Sequence, residues 1–176
     1  SDGSFLRLNP LMSIITNIDA DHLENYGNDF ARVQAAFAEF LQRLPFYGLA
    51  VLCIDDPEVA ALAAKTPRHV MSYGMSPQAD VRAENVVQEG SRMRFTLRLP
   101  QGTSQEVVLA LPGKHNVLNA LAAAAVGWQL GVAPDAIARA LESFAGVGRR
   151  FNDLGEVSTA SGAKVRIIDD YGHHPS

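Results

Sequence analysis

The stretch Leu49-Ala50-Val51-Leu52-Cys53-Ile54-Asp55-Asp56-Pro57 decides the fold. Its unbroken apolar run is of strand length and does not alternate, which suits a strand buried on both faces of a parallel sheet. Asp55-Asp56-Pro57 then supplies a helix start. A carboxylate can accept the orphan N–H groups of the first turn, and a proline loses nothing there by lacking its own. A short Ala-rich helix follows, ending about Ala64.

The same grammar repeats on either side. Residues 12–16 read as a buried strand. Residues 29–44 place Phe30, Val33, Phe37, Phe40, Leu41 and Leu44 at three- and four-residue intervals, one apolar helix face that Pro45 ends. Residues 69–73 read as a further strand closed by Gly74. Strands and helices alternating through short connections predict an α/β fold, a mostly parallel sheet with helices on both faces. From residue 80 to 110 the helical period vanishes. Alternating stretches at 81–87, 93–99 and 106–109, separated by turn residues, predict a small antiparallel β subsheet. Residues 116–130 form an Ala-rich helix buried on most faces and ended by Gly131, and residues 134–144 a second helix. Gly146-Val147-Gly148 breaks the chain, and strands at 154–158 and 163–168 follow. The sequence thus divides into a main domain, 1–147, and the first strands of another, 148–176. Lacking the rest of a sheet, those strands are expected to be mobile or to pair with a neighbouring copy.

Composition narrows the function. The 176 residues are 47% hydrophobic and 19% charged, with a net charge of -4. A chain of this length buries roughly 70% of its unfolded surface, enough for one core. Its basic residues are scattered, which argues against nucleic acid, because phosphate binding needs clustered Lys and Arg. Cys53 is the single cysteine. That excludes a disulfide framework and a cysteine metal cluster, and suits a reducing, cytoplasmic compartment. No apolar run approaches the ~20 residues of a membrane span.

Four clusters could carry chemistry. Thr16-Asn17-Ile18-Asp19-Ala20-Asp21-His22 follows a predicted parallel strand, at the edge where open α/β sheets bind ligands; it either binds a hard cation beside a phosphate or simply caps a helix. Leu111-Pro112-Gly113-Lys114-His115-Asn116-Val117-Leu118-Asn119 enters a helix through a glycine turn. It is not a Walker A loop, since Val108 and His115 stand where that motif needs Gly and Ser or Thr. Asn116 and Asn119 share a helix face and offer two amides suited to an adenine edge; equally, Asn116 could cap the helix and Asn119 pack. Gly146-Val147-Gly148-Arg149-Arg150-Phe151 brings two guanidiniums to a flexible pair of glycines, as a phosphate site or as surface arginines at a hinge. Ile167-Ile168-Asp169-Asp170-Tyr171-Gly172-His173-His174-Pro175 empties a strand into acids, a phenol and imidazoles. Adjacent imidazoles point apart, so a zinc site is disfavoured there.

Taken in order, these clusters, with Leu44-Pro45-Phe46-Tyr47-Gly48, resemble the Mur ligases that build peptidoglycan, and most closely the branch that adds L-alanine to UDP-N-acetylmuramate. The resemblance covers essentially the whole chain. It implies the P-loop-type central ATP-binding domain of that family and the start of its last domain. It further implies ATP and Mg2+ as cofactors, a lactyl carboxylate activated as an acyl phosphate, and attack by the amine of L-alanine. Carried over by position, His22 resembles a Mg2+ ligand, and Asn116 and Asn119 the adenine-reading amides, with His115 beside them. Arg150 is similar to the arginine that reaches the ATP phosphates, and Asp170 to the aspartate on the ribose and phosphate side. Tyr171 and His173 would lie near the reacting carboxyl and the incoming amine.

Two departures from the family stand out. Many members carry a carbamylated lysine on the helix after the Asp-His motif, where this chain has Phe37; the alanine-adding branch generally lacks that lysine. The glycine-rich loop ending in Gly-Lys-Thr, a metal-binding Glu before Ser1, and most of the flanking domains are absent from these 176 residues. The chain is therefore expected to be a fragment that is inactive by itself. Two other readings are a related ligase that recycles the murein tripeptide and a non-catalytic α/β binding module. Self-association is left open.

Overall fold

A computed structural model describes residues 3–20, 23–146, 152–159 and 163–169. The chain divides into two compact units, Ser1–Ser143 and Phe144–Ser176.

The larger unit runs β1 (Met12–Ile15), α1 (Phe30–Gln42), β2 (Leu49–Cys53), α2 (Pro57–Lys65), β3 (His69–Gly74), β4 (Val81–Glu89), β5 (Arg92–Arg98), β6 (Ser104–Leu109), α3 (Lys114–Gln129) and α4 (Pro134–Ser143). All six strands join one sheet in the order β1-β2-β3-β4-β5-β6. The first four are parallel and the last three antiparallel. The expected antiparallel subsheet is therefore a continuation of the parallel one.

The pleat of β2 explains its unbroken apolar run. Leu49, Val51 and Cys53 face a core shared with Val117, Leu121 and Ala124 of α3 and Ile137 and Leu141 of α4. Ala50 and Leu52 face the other way, into a core with Val33 and Leu41 of α1 and Val59 of α2. Helices on both faces thus demand apolar residues at every position of the strand between them.

Local chemistry sets the helix starts. Asp29 caps α1 by accepting from Ala31 N at 2.9 Å. Asp56 Oδ1 caps α2 by accepting from Glu58 N at 3.0 Å and Val59 N at 2.9 Å, with Pro57 in the first turn as expected. Helix α3 begins two residues before the expected Asn116, because Gly113, at φ 93°, is its N-cap. A turn of 3-10 helix at Ser4–Arg7 was not foreseen in the sequence. Its Phe5 stacks on Phe37 of α1 with centroids 5.3 Å apart and meets Phe40 edge-on.

The join of β3 to β4 is unusual. Parallel neighbours ordinarily need a crossover of a dozen or more residues. Here only Tyr73↔Val81 and Gly74↔Arg82 are paired, so β4 leaves in the direction of β3 and a short loop suffices. Asp55 anchors that loop by accepting from Met75 N at 2.7 Å and Ser76 N at 2.9 Å.

The smaller unit contains β7 (Asn152–Ser158) and β8 (Lys164–Asp169). These strands, expected to be mobile or to pair with another copy, pair antiparallel with each other. Few residues separate them, so closing this hairpin costs less entropy than recruiting a distant strand. Val157, Val165 and Ile167 remain exposed.

Candidate functional site

The start of α3 is built on a rigid foundation. Val117, Leu121, Ala124 and Ala125 are fully buried and pin the helix to the sheet. Its first turn receives no side-chain cap, since Gly113 has none to give. The positive end of the helix dipole therefore emerges at this turn, where Asn116 N donates to Gly113 O at 3.1 Å and the N–H groups before it lack a side-chain acceptor.

The expected site residues His115, Asn116 and Asn119 come together here, but in different states. Asn116 is half-buried, and its Nδ2 donates to the carbonyl of Pro112 at 2.7 Å. It is thus not the helix cap; it closes the preceding turn from inside the helix. Asn119, one turn on and exposed, has no hydrogen-bond partner among the described residues. His115 is exposed, and its imidazole lies over Gly113, so that a Cβ on Gly113 would stand 2.7 Å from Cε1 and 2.9 Å from Nδ1. No sequence pattern signals this contact, because ring placement over a glycine depends on φ, ψ and rotamer together.

At the carboxyl end of β1 a chain of oxygen-bearing side chains emerges. Thr16 Oγ1 donates to Asn17 Oδ1 at 2.8 Å, and Asn17 Nδ2 donates to Asp19 Oδ2 at 3.3 Å. Ile18, 4% exposed, anchors the segment in the core beneath. Hard oxygen donors of this kind suit a hard cation. Among the described residues, however, no three or more His, Cys, Asp and Glu are grouped to hold a metal ion. The expected site residues His22, Arg150, Asp170, Tyr171 and His173 lie outside the described residues.

Other charged groups are committed to the fold. Glu84 accepts from Arg82 Nε at 2.9 Å and from Arg98 Nε at 2.8 Å. Arg98, then Arg82, hold its carboxyl below the ordinary range. A polar cleft of about 520 Å³ beside these residues is consequently lined by charges that satisfy one another. Burial pushes the Cys53 thiol up, away from the thiolate that nucleophilic chemistry needs.

The profile of the Mur ligase middle domain matches residues 2–127. The UDP-N-acetylmuramate–L-alanine ligase of Stenotrophomonas maltophilia strain R551-3 is 99% identical over all 176 residues, which correspond to 37% of its length. The chain thus spans well under half of the curated relatives it matches. Among solved structures, UDP-N-acetylmuramate-alanine ligase MurC from Thermotoga maritima superposes with a TM-score of 0.77 at 29% identity, over 99% of this chain and 38% of its own. MurF from Acinetobacter baumannii gives 0.76 at 29% identity, over 96% of this chain and 35% of its own. These two solved structures, from different branches, are thus alike in both backbone fit and identity, whereas the 99% identical relative carries the alanine-adding name. With the middle-domain profile spanning most of its length and these neighbours in both sequence and fold, the chain belongs to the Mur ligase family.

Proposed function

We propose that this chain is the nucleotide-facing part of an ATP- and Mg2+-dependent ligase that joins L-alanine to UDP-N-acetylmuramate in peptidoglycan precursor synthesis. The 99% identity over every residue with the Stenotrophomonas maltophilia enzyme carries the reading. Residues 1–147 belong to the central ATP-binding domain and residues 148–176 open the last one.

ATP with Mg2+ supplies the activated phosphoryl group that converts a carboxylate into an acyl donor. The residues at the start of α3 suit its purine. A side-chain amide offers one donor and one acceptor edge, which matches the exocyclic amine and ring nitrogen of adenine. Asn119 has both edges unspent, and His115 presents an exposed ring beside it. Asn116 has given one amide hydrogen to Pro112, which fixes the plane of its remaining groups. Near the end of β1, Thr16, Asn17 and Asp19 would offer oxygen donors to Mg2+, and His22 would be a further ligand. Arg150 neutralises charge on the transferring phosphoryl group, and Asp170 holds the ribose and phosphate side. Tyr171 and His173 orient the reacting carboxyl and the incoming amine.

No described helix is long and apolar enough to cross a membrane. With a lone buried cysteine, Cys53, the chain suits a cytoplasmic enzyme.

Phosphate release by the full-length protein, with ATP, Mg2+ and UDP-N-acetylmuramate, tests the reading when candidate amines are supplied in turn. L-Alanine is expected to support turnover. Turnover with a tripeptide or D-alanyl-D-alanine in its place would overturn the assignment. The isolated 176-residue chain is expected to give no ligation.

A further inference from the structure

The reading above names His115 as a nucleotide contact, and nothing in it explains why its exposed imidazole lies against Gly113. A side chain in the first turn, free of hydrogen-bond partners, would ordinarily sample several rotamers. Gly113 admits one rotamer, with the ring against the turn, that a side chain at residue 113 would exclude. At φ 93° it occupies backbone space that L side chains rarely adopt, and its bare Cα leaves a flat seat for the ring. A methyl group there would fall 2.7 Å from Cε1 and 2.9 Å from Nδ1, closer than packed carbon and nitrogen atoms approach. The turn itself cannot give way easily. Asn116 Nδ2 grips the Pro112 carbonyl at 2.7 Å, and Asn116 N bonds to Gly113 O at 3.1 Å, so the turn is held by the same helix that carries the ring.

We propose that Gly113 is a positioning residue for nucleotide binding: it seats the His115 imidazole against the turn, leaving the ring's other face and the Asn119 amide to meet a purine. The proposal rests on the nucleotide reading of the α3 start. It predicts that the consequence of adding a side chain at residue 113 depends on the ring at residue 115.

The test is a double-mutant cycle in the full-length ligase, reading KM for ATP and kcat separately. Gly113→Ala is expected to raise KM for ATP about tenfold with kcat within about twofold, since binding is lost without touching the reacting atoms. In a His115→Ala background the same substitution is expected to raise KM by no more than about twofold, because the group displaced is already gone. Strain from the positive φ is present in both backgrounds, so an equal effect in both overturns positioning and leaves only a backbone role. No effect of Gly113→Ala when His115 is present also overturns it. If His115→Ala alone leaves KM for ATP unchanged, the nucleotide role of His115 fails first, and the positioning proposal with it. The wild-type protein offers a check independent of how the variants fold. Nuclear Overhauser contacts between the His115 ring protons and the Gly113 α-protons are expected without nucleotide, and their absence overturns the proposed seat.

Discussion

Ser72 and Asp80 bond to each other in both directions across the mouth of the loop between β3 and β4. Ser72 N and Oγ donate to Asp80 Oδ2 at 2.9 and 2.6 Å, while Asp80 N donates back to Ser72 Oγ at 3.0 Å. The pair closes the loop that lets two parallel strands join without a crossover helix. Each partner satisfies main-chain groups of the other, so removing either leaves the second unpaired. Asp80→Ala or Ser72→Ala is expected to cost about 1–2 kcal/mol. The double variant should cost little more than the worse single one, since both remove the same interaction. Urea unfolding of the three variants measures this; additive losses would show that the residues act separately.

Acid should weaken the sheet through Glu84. Arg98 first, and Arg82 second, lower its pKa below the ordinary carboxylate value near 4.5. A group whose folded-state pKa is depressed stabilises the protein above its unfolded value, and that contribution disappears as pH falls through the folded value. The unfolded chain takes up the proton first, so stability declines on acidification below about pH 4.5. Glu84→Gln is expected to flatten this decline without abolishing it, because Arg94 and Arg139 lower the pKa values of Glu89 and Asp135 in the same way. Denaturant midpoints followed from pH 6 to pH 3 read the difference, which should shrink in high salt because solvent reaches part of these half-buried groups. A decline equally steep in the Gln variant would count against it.

Particular residues show why some of this architecture was readable and some was not. The apolar run of β2 and the cap at Asp56 are local, and both were legible because the period and the capping chemistry lie within a few residues. The β3–β4 join was not. It depends on Asp55 reaching Met75 and Ser76, twenty residues onward, and no pattern in the sequence signals that contact. The start of α3 was displaced for a related reason. Propensity favours Asn as a cap, but the bond from Asn116 to Pro112 keeps that residue inside the helix and leaves Gly113 outside it. The clusters holding His22, Arg150, Asp170, Tyr171 and His173 were visible in the sequence, but their separate roles entered through resemblance, since polar groups after a strand or at a hinge have ordinary structural roles as well.

Asn116 and Asn119 should respond differently to the same substitution, although they look equivalent in the sequence. Asn119 is exposed and without a hydrogen-bond partner among the described residues, so Asn119→Ala in the full-length ligase is expected to leave the melting temperature unchanged. Its KM for ATP should rise about tenfold, the cost of roughly 1.4 kcal/mol of lost hydrogen bonding to the purine. Asn116→Ala should raise KM and also lower stability by about 1 kcal/mol, because the Pro112 carbonyl loses its donor. Thermal melting and ATP titration of both variants separate the roles. A fall in melting temperature for Asn119→Ala would show that this amide serves the fold.

Tyr73 offers a substitution expected to strengthen the protein. The side chain is fully buried in β3, and its hydroxyl makes no hydrogen bond among the described residues. Its polar neighbour is the Cys53 thiol, a weak partner, and burial pushes the phenol's pKa far up. A buried hydroxyl that has given up water without gaining a bond is a net cost. Tyr73→Phe removes that cost, keeps the ring that packs against α3, and leaves a void of only one oxygen. Stability is therefore expected to rise by about 0.5–1.5 kcal/mol, with the denaturant m-value unchanged. A loss of more than about 1 kcal/mol in the Phe variant would mean that the hydroxyl is bonded after all. Repeating the measurement in a Cys53→Ala background would then decide whether the thiol is its partner, since the two substitutions would cease to be additive.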